Sequence, residues 1–244
     1  MCFSVELEKD LSRLALRFSA EIEQLGFEKL LLDHQRDPGR FKVAGSDNRI
    51  FPQVFAPVII EKAGKRIITP MRYRLRPAGS LEEVPAKFNL YNARKDSLQE
   101  RKSWKQLLGK SHGIFPFKSF FEWVKDAEGK SQLINFFPKE REVMWAPCLY
   151  DSWSGPKLVG NGKEHFSSFA LITDGPAPEV AEQGHDRCPL FLKESQITQW
   201  LAPSASNPQD LVELLNQQEE VTYLHSYLEK TSNSGGENSQ LKLF

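Results

Sequence analysis

The sequence predicts an α+β domain, rich in β-structure, with a mostly antiparallel sheet at its core and helices at its periphery. Three observations carry this. Short apolar segments bounded by Gly, Pro and Asp turns recur along the chain; helical periodicity is confined to a few stretches; and no regular strand–helix alternation suggests a parallel sheet. With 244 residues, 40% of them hydrophobic and 26% charged, the chain can bury a full core. One domain over residues 1–230 is expected. Residues 231–240 are dominated by Ser, Asn, Gly and Glu, so 231–244 should form a mobile tail.

Residues 2–5 are too short to assign by pattern. Leu7, Leu11, Leu14, Phe18, Ile22 and Leu25 recur every three or four residues, which predicts one amphipathic helix ending near Gly26. Residues 33–48 are polar and carry Pro38, Gly39 and Gly45, the composition of a loop. Residues 50–60 and 66–74 read as strands joined by the turn Lys62-Ala63-Gly64-Lys65. Pro52, Pro57 and Pro70 cannot donate to a ladder, so these strands should be edges, bulged or interrupted. Ser97-Leu98-Gln99-Glu100 fits a capping box, with a helix to follow through Leu108. Residues 113–124 are rich in phenylalanine, and Asp126-Ala127-Glu128-Gly129 turns them into 131–137 as a β-hairpin. Strands at 142–149 and 166–173 precede a Pro/Gly-rich loop over 174–184. A short helix is expected at 193–201 and another from Asn207-Pro208, asparagine capping and proline opening the first turn.

Lys plus Arg number 32 and Asp plus Glu number 32, so the net charge is zero, which argues against coating nucleic acid by bulk charge. The distribution is uneven: residues 62–118 hold fourteen Lys or Arg against four Asp or Glu. Such a segment fits a phosphate backbone or an ordinary solvated surface. Cys2, Cys148 and Cys188 are odd in number and show no CxxC or zinc spacing, so neither disulfides nor a metal are expected, and no cofactor is implied. No apolar run reaches the roughly 18 residues a membrane span needs, and Glu6, Glu8 and Asp10 spoil a signal peptide. A monomer is expected, cytoplasmic and nucleoid-associated if the source is bacterial and nuclear if it is eukaryotic.

Chemistry concentrates in four places. Loss of Met1 leaves Cys2 with a free α-amine beside its own thiol, and with pKa values of about 8 and about 8.5 both are partly nucleophilic near neutral pH. Such a pair condenses with an aldehyde: the amine forms an imine, the sulfur adds to the same carbon, and a thiazolidine closes. Phe120-Phe121-Glu122-Trp123 sets a carboxyl in an aromatic stretch, where desolvation would raise its pKa toward neutrality. Strict alternation with Phe121 and Trp123 inward would instead turn Glu122 to solvent. His185 follows a flexible loop and precedes Asp186-Arg187, a setting for acid–base work. Asn92 and Arg94, two apart, project to one side of an extended chain and offer an amide and a guanidinium fork for phosphate. Gly109-Lys110-Ser111-His112-Gly113 matches G-x-S-x-G, but with a helix before and a strand after, the reverse of a nucleophile elbow. A phosphate loop fails too, because Trp104 stands where its first glycine belongs.

In order along the chain, Met1-Cys2, Pro70-Met71-Arg72-Tyr73, Asn92-Ala93-Arg94, Phe120-Phe121-Glu122-Trp123, Ile172-Thr173 and His185-Asp186-Arg187-Cys188-Pro189 together resemble the SOS response-associated peptidase (SRAP) family. The resemblance implies a sensor of abasic sites in single-stranded DNA, with a channel for the single strand in a β-rich fold. It implies that Met1 is lost, by self-cleavage or to an aminopeptidase, and that Cys2 then crosslinks to the ring-opened sugar. By position it makes Cys2 the nucleophile, lets Asn92 hold the amine, and gives Glu122 and His185 the proton transfers. Arg72, Arg94, Thr173 and Arg187 would hold backbone or lesion, and Tyr73, where tryptophan is common, would keep a stacking surface. The family start Met-Cys-Gly-Arg is replaced by Phe3-Ser4, which removes an arginine expected near the DNA, and Tyr223-Leu224-His225-Ser226 departs from the usual Pro-Val-Ser. Two rival readings use the same residues: an N-terminal nucleophile amidohydrolase built on Cys2, and a non-catalytic single-strand binder built on the basic segment.

Overall fold

A computed structural model describes residues 4–125, 128–156, 162–203 and 206–228 of the chain. The elements run β1 (Ser4–Glu6), α1 (Leu11–Phe18), β2 (Ala20–Ile22), α2 (Gln24–Arg36), β3 (Arg49–Ile50), β4 (Phe55–Lys62), β5 (Lys65–Tyr73) and β6 (Asn92–Arg94). They continue with α3 (Lys102–Lys105), β7 (His112–Phe117), β8 (Ser119–Lys125), β9 (Ser131–Pro138), β10 (Met144–Pro156), β11 (Lys163–Asp174), α4 (Pro178–Glu182), β12 (Cys188–Pro189), α5 (Ile197–Leu201), α6 (Pro208–Asn216) and β13 (Tyr223–Leu228). The fold is α+β, as the patterning predicts.

Five strands close a barrel in the order β11-β10-β7-β4-β5. Closure is a short parallel contact, Ser168 opposite Arg72 and Phe169 opposite Tyr73; the other four neighbouring pairs are antiparallel. A second, antiparallel sheet, β13-β9-β8-β1-β3, packs on the barrel. Lys118 alone separates β7 in the barrel from β8 in the second sheet, and its N–H donates to Glu6 O at 2.8 Å. The core between the layers contains Val5, Ile50, Tyr73, Phe115, Phe120, Ile134, Phe136 and Phe169. On the far side Trp104, Trp145 and Trp200 anchor a separate core with α1, α5 and α6.

The interrupted ladder expected at the prolines has a clear cause. Pro57 and Pro70 face each other across β4 and β5. Pro70 falls where β5 exchanges β2, paired through Ile68, for β11, paired from Arg72. Their missing N–H groups sit where no neighbouring strand asks for them. Yet β4 is an inner strand, paired with β7 at Ile59 and Ile60.

Several expectations need correction. The single helix through Leu25 is two helices parted by β2, because Ser19 adopts a left-handed conformation (φ 49°) and the next three residues pair with β5. Gly26 lies inside α2, which runs to Arg36 into the expected loop. The capping box is not formed: the Ser97 hydroxyl donates to Arg94 O at 3.0 Å, and tight turns precede the four-residue α3. The loop over 174–184 contains α4, and β13 is a strand that no pattern announced. Asn207 does cap α6, accepting from Asp210 N–H at 3.0 Å. Residues 126 and 127 of the hairpin turn, and the tail expected over 231–244, lie outside the described residues.

Candidate functional site

Glu122 settles its orientation through β8. Phe120 faces Val5 and Phe121 faces Ser4 across the ladder to β1. Phe120 and Glu122 point to the core while Trp123 is 50% exposed, so the solvent-facing alternative for the glutamate fails. Burial to 3% exposure drives its carboxyl pKa upward, against a hydrogen bond to His185 that pulls it down.

His185 reaches this carboxyl from the segment after α4. Gly184 supplies the left-handed turn (φ 82°) that sends the chain back, and the His185 N–H donates to Val180 O at 3.3 Å. The ring lies with Nε2 3.0 Å from Glu122 Oε2 and Nδ1 2.8 Å from the Arg187 carbonyl. Nδ1 is held by the Arg187 backbone, whose amide nitrogen also lies 3.3 Å from it, so Nε2 is the ring atom that faces the carboxyl. The imidazole is thus held on both sides.

The last turn of β11 gathers the next group. On one edge Leu171 to Thr173 pairs with Asn92 to Arg94 of β6; on the other Thr173 and Asp174 pair with β12. Asn92 is buried, its Oδ1 accepting from the Tyr73 hydroxyl at 3.4 Å. Arg94 is exposed and grips Asp96, with Nε 3.0 Å from Oδ1. Arg187 Nη2 stands 3.8 Å from the same carboxylate, so Asp96 bridges two of the expected arginines. The Arg94 hydrogen bond, chiefly, holds the Asp96 carboxyl below its ordinary value. Asp96 was not singled out in the sequence, where it reads as one more charge in a basic run. Thr173 is fully buried, and its hydroxyl has no hydrogen-bond partner among the described residues.

Two expected contacts lie elsewhere. Tyr73 has 0% exposure, its ring between Phe169 and Phe115 at centroid distances of 5.3 and 6.1 Å. No stacking surface exists there, because barrel closure at Phe169 covers the ring. Trp123, on β8 beside Glu122, is among the exposed aromatics. Arg72 is buried on Glu83 and lies over Phe166, 4.6 Å from the ring centroid. Much of the basic segment is likewise used internally: Arg76 on Glu83, Arg74 on Val84 O and Lys95 on Asp174.

The remaining thiols are inert. Cys148 is sealed in the core with its pKa pushed up by burial, and burial pushes Cys188 up to about 11. Cys2 lies outside the described residues. His112 is structural: burial lowers its pKa to about 3, its Nδ1 meets Trp200 O at 3.0 Å, and its Nε2 accepts from Gly109 N–H. Among the described residues no group of three His, Cys, Asp or Glu is placed to hold a metal, and no helix is long and apolar enough to cross a membrane. A cavity of about 500 Å³ beside α2, lined by Leu30, Phe41, Phe55 and Phe166 among others, shares no residue with the cluster.

A closed barrel, a second sheet that carries β1, and a buried carboxyl–imidazole pair beside that strand define the fold and its candidate site. The chain belongs to the SOS response associated peptidase (SRAP) family, whose model matches residues 1–231. It is 28% identical over 199 residues to abasic site processing protein YobE of Bacillus subtilis, covering 81% of this chain and 84% of that one. Abasic site processing protein HMCES of Rattus norvegicus is 26% identical over 230 residues, covering 79% and 62%. Among solved structures, a protein of Bacteroides thetaiotaomicron superposes with a TM-score of 0.69 at 18% identity, covering 94% of this chain and 93% of the other. A protein of Bordetella bronchiseptica gives 0.66 at 16%, covering 93% and 100%. These two likenesses bear on fold alone.

Proposed function

We propose that this chain processes abasic sites in single-stranded DNA by capturing them covalently on Cys2 after Met1 is removed. One observation carries the reading: the strand that begins at Ser4 is paired to Phe121, immediately beside the buried Glu122–His185 pair. Two residues of extended chain reach at most about 7 Å, so covalent length keeps Cys2 near Ser4. The names of the relatives, abasic site processing proteins, support the same substrate.

In this mechanism the Cys2 amine attacks the aldehyde carbon of the ring-opened sugar, and a proton passes from nitrogen to oxygen to give a carbinolamine. Its hydroxyl leaves as water with a proton supplied by Glu122, whose raised pKa suits it to act as an acid. The thiol then adds across the imine: sulfur bonds to carbon, the thiol proton goes to nitrogen, and the five-membered ring closes with net release of one water. The proton that the iminium nitrogen sheds to give the imine passes to His185, which, its Nδ1 held by the Arg187 backbone, returns it to Glu122. Asn92 holds the amine, the Thr173 hydroxyl and the Arg94 and Arg187 guanidiniums hold the strand, and Trp123 offers its exposed ring for a base. The same acid–base pair serves hydrolysis of the Met1–Cys2 bond when the chain removes its own methionine.

The test incubates protein, shown by intact mass to lack Met1, with an oligonucleotide bearing one abasic site. A heat-stable adduct on a denaturing gel is expected, lost in Cys2→Ala. No adduct from correctly processed protein would end the proposal.

A further inference from the structure

β3 is an edge of the second sheet, and its Arg49 lies across from Glu6 of β1. Val5 and Ile50 enter the core, so Ser4 and Arg49 share the opposite face with Phe121 and the exposed Trp123. The guanidinium donates from Nε and Nη2 to Ser4 Oγ at 3.0 and 2.7 Å. It also lies over the rings of Phe121 and Phe51, 4.2 and 4.9 Å from their centroids.

Arg49 has no close ion pair among the described residues, and Asp47 acts on its guanidinium only through space. The Asp47 carboxylate accepts the Arg49 backbone N–H, at 3.1 Å, and Glu6 takes the Ser119 hydroxyl, also at 3.1 Å. Arg72, Arg94, Arg141 and Arg187 each meet a carboxylate. A neutral hydroxyl and two ring faces therefore fix the Arg49 fork without neutralising it, and its other N–H donors remain for an anion. Partial desolvation lowers its pKa, a cost that an arriving anion would relieve.

We propose that Arg49 is a phosphodiester-binding subsite for the single strand whose lesion is presented to Cys2. The inference deepens the reading of Cys2 given above and rests on it for the identity of the strand. Ser4, which orients the fork, is two residues from Cys2, so chain length keeps a phosphate held here within reach of the captured sugar. Trp123 on the same face takes a base while Arg49 takes the backbone.

Arg49→Gln keeps a donor for Ser4 Oγ and removes the charge. Binding to an undamaged single-stranded oligonucleotide should weaken roughly tenfold at low salt, and the slope of log affinity against log salt should drop by about 0.7. Arg49→Lys should keep the slope, and adding Ser4→Arg to Arg49→Gln should restore it. A wild-type slope in Arg49→Gln overturns the proposal, and loss of melting temperature with that slope unchanged marks Arg49 as a strut between β1 and β3. Should the variant not fold, phenylglyoxal labelling of the wild type decides: the oligonucleotide should protect Arg49, and equal labelling with and without it overturns the subsite. An abasic oligonucleotide separates the two readings. An Arg49-dependent slope without an adduct sinks the role of Cys2 and leaves the subsite; an adduct with an Arg49-independent slope does the reverse.

Discussion

Glu122 shows how one carboxyl acquires its chemistry. The aromatic residues around it were visible in the sequence, and so was the prospect of desolvation, but the direction of its side chain was not. Alternation predicts that Phe121 and Glu122 part ways; the structure buries Phe120, Phe121 and Glu122 together, because the barrel covers one face while Arg49 and Phe51 crowd the other. A pH dependence follows. Burial raises the folded pKa above the ordinary 4.5, so the native state holds this proton more tightly than the unfolded chain. Its contribution to stability is full below about 4.5 and is lost as pH rises through the raised value. Urea midpoints from about pH 4 to pH 8 should therefore fall less steeply in Glu122→Gln than in the wild type; equal slopes would show that the carboxyl is not desolvated. Ser4, where the resemblance leads one to expect an arginine, also reads differently in three dimensions, since the Arg49 fork rests on it.

Strands and helices were legible where a local signal was strong. The β4–β5 turn, the β8–β9 hairpin and the Asn207 cap all follow from residues next to one another. The break between α1 and α2 did not, because the apolar spacing continues across it; pairing of β2 with β5 outweighs the helical periodicity. In β7, Gly113 is required by its neighbours. A Cβ there would lie 2.8 Å from Val58 Cγ1, 3.0 Å from Cys148 Sγ and 3.3 Å from Ile59 O, all inside the barrel wall. Gly113→Ala should cost about 1–3 kcal/mol by overpacking, read as a lower denaturation midpoint. An unchanged midpoint would mean that the wall yields there.

Barrel closure falls within the core that both layers share. Phe169 sits at the closing contact with β5, stacked on Tyr73 and 4.8 Å from the Phe115 centroid, and is fully buried. Phe169→Ala should cost about 3–5 kcal/mol. Because the second sheet shares this core, tryptophan fluorescence and far-ultraviolet circular dichroism should still report a single transition. Two separated transitions would show that the sheet folds independently of the barrel.

The sequence by itself determined the α+β class, most strands and the ordered motifs that place the chain in its family, because periodicity, turn residues and short motifs are local. It also singled out Asn92, Glu122 and His185 as candidates, from their residue types and settings. Only the tertiary structure decided that Glu122 turns inward against His185, that Tyr73 is sealed in the core, that Asp96 bridges Arg94 and Arg187, and that Arg49 lies on Ser4. Each of these pairs residues far apart in the chain or depends on which face a strand buries, and both are set by closure of the barrel rather than by any neighbouring residue.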